Sequence, residues 1–291
     1  MAGAAVWGTL IERTAFTVRT ARLAVLPPES PEIRVLHLSD LHMAPWQRKK
    51  QRFLRELGEL EPDLVVDTGD NLGHHLGLLG VRAALEPFRG VPGVFVWGSN
   101  DYWAPAFKNP FSYLIEASGA PPQPRRLDRE ALRDHLLGLG WTDLDNAGAR
   151  LVVKGVPLDL VGVDDPHRDY DRLEVVGPEL ERLRDAGPTA ALTVGVAHAP
   201  YRRVLDAFVD HGAGLLLAGH THGGQVAVPF VGALTTNSDL PRRQAKGLSE
   251  WTYGGRHVPL NVSAGVGTSI YAPVRFAVRP EVSLLTLEAA A

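Results

Sequence analysis

The chain has 291 residues, 45% hydrophobic and 22% charged, with a formal net charge of -3 and no cysteine. That length can bury a substantial core and suits one large α/β domain, and the charge balance indicates no general nucleic-acid surface. The missing thiols exclude disulfides, thiolate metal ligands and a cysteine nucleophile together, so any bound metal must be held by His, Asp, Glu, Asn or backbone.

The opening MAGAAVWGTLIERTAF has no basic start, and its apolar run is broken at Glu12 and Arg13. It is expected to be neither a signal peptide nor a membrane-spanning helix, which makes a cytoplasmic location the default. From Ile33, IRVLHLSD is a short branched apolar run ending in polar residues, as a buried strand entering a loop would. QRKKQRFLRELGEL then carries Phe53, Leu54, Leu57 and Leu60 at helical spacing, and Pro62 closes it. DLVVDTGD reads as a second strand, LGVRAALEPF as a helix and GVFVWG as a third strand, the alternation of an α/β protein.

Residues 104–150 interrupt that alternation with APAFKNPF, ASGAPPQP and a helix around REALRDHLLGLG. The stretch is expected to be an insertion or lid over the strand ends within one domain spanning 1–291. Strands return with ARLVVKG, LDLVGV, LTVGVAH, GLLLAGH, LNVSAG and VSLLTL, with no internal repeat and no interior linker.

The polar residues cluster where strands end. SDLH presents Asp40 and His42, TGDN presents Asp70, GSND presents Asn100, VAHAP presents His198, and AGHTHGGQ presents His220 and His222. Open α/β sheets place ligand sites at the carboxyl ends of strands, so these are candidates for one shared site. In extended backbone, residues two apart face the same side, and Asp40 with His42 and His220 with His222 are each read as a clamp. Gly69, Gly98, Gly219, Gly223 and Gly224 suit close backbone approach in a crowded site. Carboxylates mixed with imidazoles suit Mn, Fe, Zn, Ni or Co. Seven ligands exceed one tetrahedral zinc and suit two ions ~3.5–4 Å apart that share a carboxylate.

LSDLH, TGDN, GSND, AHAP and GHTHGGQ, in that order over roughly 33–287, resemble the calcineurin-like metallophosphoesterase superfamily. GHTHGGQ and the closing RPEVSLLTL are similar to a bacterial branch that includes enzymes of nucleotide-linked lipids and membrane-associated phosphoesterases. The resemblance implies two mixed β-sheets packed as a sandwich and flanked by helices, a four-layer αββα fold. It implies that Asp40, His42 and His222 hold one ion, that His198 and His220 hold the other, and that Asp70 bridges them. Two divalent ions, manganese first, would drive attack of a metal-bridging hydroxide on a phosphodiester, phosphomonoester or pyrophosphate. The expected partner is a phosphate ester, nucleotide-linked or lipid-like, with peripheral membrane contact a further candidate.

One motif departs from the pattern. Aligned without gaps to Gly-Asn-His-Asp, GSND puts Ser99 at the family's metal-binding Asn and Asn100 at the His that assists the leaving group. A hydroxyl is the weaker ligand, so a one-residue shift that gives Asn100 the ligand role is expected, with Ser99 the alternative. Asp101 is placed to orient a neighbour, which makes Asp70, Asn100, Asp101 and His198 the expected catalytic set. Leaving-group protonation then falls to water, a metal-bound group or another histidine such as His74 or His75, although an exposed loop pair is the plainer view of those two. The basic run at 48–50 is read as a solvated helix face, with phosphate or anionic-membrane binding the alternative. Asp164, Asp165 and His167 either line the pocket or cap a loop.

Other chemistries fit less well. NVSAG has Asn261 where a nucleophile elbow needs Gly, AGVGTS lacks the third Gly of a dinucleotide loop, and neither a P-loop nor HExxH occurs. Two rivals stand beside the phosphoesterase: a metal-binding scaffold or regulator with weakened catalysis, which the altered GSND favours, and a hydrolase of a non-phosphate bond.

Overall fold

In the computed structural model, which describes residues 3, 6–105, 125–228 and 232–290, the strand β1 (Thr17–Leu26) precedes an alternating series. It runs β2 (Ile33–Leu38), α1 (Arg48–Glu56), β3 (Leu64–Asp67), α2 (Gly77–Leu85), β4 (Gly93–Phe95), the single turn α3 (Ser99–Tyr102), α4 (Arg129–Gly138) and β5 (Trp141–Asp143). A hairpin of β6 (Ala147–Val153) and β7 (Val156–Gly162) opens the second series: α5 (Val176–Asp185), β8 (Leu192–Ala197), α6 (Arg202–Asp210) and β9 (Leu215–Ala218). The short pair β10 (Ala227–Val228) and β11 (Gly232–Ala233) is followed by β12 (Gly247–Tyr253), β13 (Arg256–Val262) and β14 (Glu281–Ala289).

Two six-stranded mixed sheets result, ordered β1-β14-β2-β3-β4-β5 and β12-β13-β9-β8-β7-β6. Within the first, β2 to β5 are parallel; within the second, β7, β8, β9 and β13 are parallel. The parity of the apolar side chains explains the layers. Ile33, Val35, Leu64, Val66 and Val94 of the first sheet share one core with Leu192, Val194, Val196, Leu215 and Leu217 of the second. Their neighbours in sequence point the other way: Leu36, Val65 and Phe95 meet Leu54, Val81 and Leu132 of helices, and Ala197 and Leu216 meet Leu180, Val204 and Phe208. Strands buried on both faces read as continuous apolar runs. A one-residue slip would exchange the two cores, so register is firmly held.

Helix α1 ends at Glu56, and Leu57–Leu60 continues as a 3-10 turn in which Leu57 stays buried. The basic run at 48–50 is not a solvated face throughout, because Lys50 is buried and donates to the carbonyls of Leu41 at 2.6 Å and His42 at 3.3 Å. Of the stretch 104–150, residues 106–124 lie outside the described residues. From 125 the chain continues the helix–strand order: Asp128 caps α4 by accepting from the Ala131 N–H at 3.0 Å, and β5 pairs parallel to β4. Strand β1 and strand β12, the hairpin partner of β13, were not anticipated. β1 carries polar residues along an edge and reads as no continuous apolar run.

Candidate metal centre

All the ligand-bearing loops leave the carboxyl ends of parallel strands: Asp40 and His42 follow β2, Asp70 follows β3, Asn100 follows β4, His198 follows β8, and His220 and His222 follow β9. The loops are laced together by backbone bonds, from Asp40 N–H to Gly69 O at 2.8 Å, His42 N–H to Asp70 O at 2.9 Å and Gly219 N–H to His198 O at 2.8 Å. The clamps, however, are not extended. Asp40, His42, Asp70, His220 and His222 all have positive φ, between 40° and 68°, so each pair is aimed by a left-handed turn rather than by strand periodicity. A non-glycine residue there costs about 1–3 kcal/mol, which the surrounding packing must hold in place.

The side chains converge. His42 Nε2 is 3.4 Å from Asp70 Oδ2 and 3.2 Å from His222 Nε2, and His222 Nε2 is 3.5 Å from Asp40 Oδ1. His198 Nε2 is 3.6 Å from Asp70 Oδ1 and 3.1 Å from His220 Nδ1. Two ligand groups emerge, Asp40 with His42 and His222, and Asp40 with Asp70 and His198.

The donor set fits divalent cations. Asp40 Oδ2 accepts from the Ser39 hydroxyl and from His220 N–H, whereas Asp40 Oδ1 is buried with no hydrogen-bond partner. An orphaned carboxylate oxygen is costly unless a cation meets it. His198 Nδ1 lies 2.7 Å from the Thr68 carbonyl and His220 Nε2 3.1 Å from the Asn237 carbonyl. The Thr68 carbonyl accepts from a protonated His198 Nδ1 and so turns His198 Nε2 toward His220 Nδ1, 3.1 Å away, while the Asn237 side-chain amide nitrogen also lies 3.0 Å from His220 Nε2. Burial would push His198 down, but Asp70, Asp40 and Asp165 outweigh it and hold the imidazole up to about 9, the response of a pocket that attracts positive charge. His222 is pushed down to about 3 by burial first and by Arg275 next, and burial lowers His42 and His220 as well. Neutral imidazoles are the form that ligates.

The family model of the calcineurin-like phosphoesterases matches residues 33–224. The chain belongs to this family. The two mixed sheets packed face to face with helices outside agree with that membership. The chain is 29% identical over 274 residues to a bovine transmembrane protein with a metallophosphoesterase domain, a match covering 91% of this chain and 55% of that protein. The chain therefore spans about half the length of that relative. An uncharacterized metallophosphoesterase of Aquifex aeolicus is 28% identical over 278 residues, covering 94% of this chain and 90% of that protein. A 5'-nucleotidase precursor from Thermus thermophilus superimposes with a TM-score of 0.50 at 15% identity, over 88% of this chain and 55% of the other, which is a likeness of fold. Among the described residues no helix is long and apolar enough to cross a membrane.

Where GSND departs from Gly-Asn-His-Asp, the two polar residues point apart. The Asn100 backbone N–H and Nδ2 each donate to Asp70 at 2.7 Å, while the Ser99 hydroxyl turns to Asp165. Asn100 thus stands at Asp70, a member of one ligand group that also faces His42 of the other, and Ser99 does not. Asp101 accepts from the N–H groups of Asp70, Asn71, Leu72 and Gly98, at 2.8 to 3.3 Å, and so ties the β3 and β4 loops to each other. Gly98 is required by contact: a Cβ there would lie 2.3 Å from Asp70 Oδ1 and 2.7 Å from His198 Cε1. Gly219 is equally confined, by Ser39 Oγ and Asp40 Oδ2. Gly223 and Gly224 instead pack against Val278 and Ala233, outside the ligand set.

Asp165 caps its loop by accepting from His167 N–H at 2.9 Å, and Asp164 accepts from the Tyr102 hydroxyl, so this segment both caps and borders the centre. His167 lies against His220 with ring centres 4.4 Å apart. His74 and His75 stack on each other beside Trp46 and join neither ligand group. Arg275 escaped the sequence reading entirely. It is fully buried, and its Nη2 donates to the carbonyls of Ala264, Gly265 and Gly267, clamping the turn whose Gly267 N–H reaches Asp40 O at 2.7 Å. The dismissed AGVGTS segment was the one available signal, since its glycines back directly onto Asp40 and His42.

Proposed function

We propose that the chain is a two-metal phosphoesterase cleaving a phosphodiester, phosphomonoester or pyrophosphate. The observation that carries this is the orphaned Asp40 Oδ1, on the residue that two ligand groups share, with Asp70 reaching from one group toward His42 of the other at 3.4 Å. Asp40, His42 and His222 would hold one ion, His198 and His220 the other, with Asp70 between them and Asn100 beside it. Bound there, divalent ions such as Mn, Fe, Zn, Ni or Co would supply Lewis acidity, activating water and neutralising charge on phosphate oxygens.

The chain's own residues do the rest. Thr68, Asn237 and Gly267 orient the imidazoles through backbone carbonyls, and Asp101 holds the Asp70 and Asn100 loops at a set distance. The amide of Asn100 cannot donate as an imidazolium would, so the proton for the leaving oxygen comes from water or from an imidazole such as His167. The substrate is a phosphate ester of nucleotide-linked or lipid-like type, reached at a cytoplasmic or membrane-peripheral location.

The test is metal analysis followed by hydrolysis of bis-p-nitrophenyl phosphate with each of the five metals. Up to two ions per chain and turnover, best with Mn, are expected. At most one ion and no turnover with any metal would overturn the proposal and leave a binding or regulatory protein.

A further inference from the structure

Beside the metal centre lies a cavity of about 290 Å³ whose wall carries Arg13, Arg48, Lys49 and Lys50, with Trp46 and Gly267 among its other lining residues. It shares a wall with the ligand set: a Cβ on Gly267 would lie 2.7 Å from His42 Cβ, and Lys50 Nζ donates to the His42 carbonyl. Among the described residues four cations line it and no carboxylate does. Among the described residues none of the four has an acidic partner within 4.0 Å. Lys50 is satisfied by two backbone carbonyls, Lys49 donates to the Thr14 hydroxyl at 3.2 Å, and the Arg13 Nε donates to the Thr9 carbonyl.

Such an arrangement is unfavourable by itself. Three of the cations open α1, where the positive end of the helix dipole disfavours them and where no acidic residue offsets them. Arg150 is paired with Asp159 and Arg203 with Asp171, whereas the four cations here line one concave volume with no carboxylate among its described residues. Like charges gathered in one cleft focus a field that attracts a counter-ion.

We infer that this cavity binds a phosphate group other than the one being hydrolysed. A phosphate offers several acceptor oxygens and about two negative charges, which suits guanidinium forks and ammonium donors around one small volume. The assignment deepens the phosphoesterase reading, since the substrate would then carry a second phosphate. Occupation of the cavity itself is read without turnover.

The test is calorimetric titration of inorganic phosphate into the metal-loaded chain, wild type and variants. Wild type is expected to bind two phosphates, of which chelation removes the one at the metal centre. The double variant Arg13→Ala, Arg48→Glu is expected to bind one. Arg52→Glu, the same change of charge on the same helix but outside the cavity lining, is expected to keep two. Should the double variant fail to fold by circular dichroism, Arg13→Ala and Arg48→Glu singly are each expected to weaken the cavity phosphate about tenfold or more. Equal numbers of phosphates in wild type and double variant, or no weakening in the single variants, would overturn the inference. If the chain takes up no metal and turns over no ester yet keeps the cavity phosphate, the phosphoesterase reading fails and this one stands. Glycerol phosphate and a short-chain phosphatidic acid then identify the source: tighter binding of the latter assigns the group to a lipid, equal binding to a soluble ester.

Discussion

The two sheets feed the centre with different chemistry. The first supplies the carboxylates and the amide, Asp40, Asp70 and Asn100, together with one imidazole, His42; the second supplies only imidazoles, His198, His220 and His222. The loops of the first sheet are braced from within, four backbone N–H groups converging on Asp101. Those of the second are braced from outside: His198 is oriented by the Thr68 carbonyl of the first sheet, and His222 by the turn that Arg275 holds. The Asp70 loop is thus fixed by donors on its own side, although Asp40 also accepts from His220 N–H of the second sheet, whereas the imidazoles need an acceptor to set the tautomer, and for His198 that acceptor comes from the other sheet. The imidazole half should depend on the packing of the sheets, the carboxylate half on a single loop network.

Substitutions can break this comparison, and the greatest loss is expected at Asp70, whose two oxygens face His42 of one half and His198 of the other. Asp70→Asn should reduce kcat/KM and the affinity for both ions by more than the ~10–100-fold that a supporting residue costs. Retention of either ion at wild-type affinity would place the centre wrongly. Next comes the leaving group. Without an imidazolium at position 100, esters with alkoxide-like leaving groups should lag activated aryl esters by an extra factor on the order of 100–10,000, the usual worth of general-acid help. A shallow dependence of log kcat on leaving-group pKa would show that another proton donor is fully engaged.

Smaller effects sharpen the contrast between internal and external bracing. Asp101→Ala, which frees four N–H groups around Asp70 and Gly98, should weaken metal binding ~10–100-fold, read by titration with Mn. An unchanged affinity would mean that the loops hold their shape without it. Asn100→Ala should lower the affinity of the second ion while Ser99→Ala leaves it near wild type, and the reverse outcome would restore the ungapped alignment. His75→Ala, outside both ligand groups, should change kcat/KM least of all, and a loss comparable with that of Asp70→Asn would refute the whole placement.

Much of this was legible in the sequence because its physics is local. Continuous apolar runs such as LVV and LLLA mark strands buried on both faces, and a polar residue directly after such a run must emerge at the sheet's edge. Five such endings therefore pointed to Asp40, His42, Asp70, Asn100, His198, His220 and His222 without knowledge of how the strands were ordered. The absence of cysteine likewise determined the ligand types, and the spelling of GSND determined that the leaving-group imidazole is missing at that position.

Only the tertiary structure decided how these residues are aimed. Left-handed φ at five of the candidate ligands is held by contacts from distant segments, such as the His220 N–H on Asp40 and the glycine turn at 265–267, and no residue in the motifs announces it. The same holds for Arg275, whose role depends on three carbonyls of a turn that folds back onto Asp40. The 48–50 run shows the limit most clearly. Its charge is visible in the sequence, but whether a lysine faces water or the underside of a metal ligand depends on what packs over the helix, and periodicity alone carries no information about that neighbour.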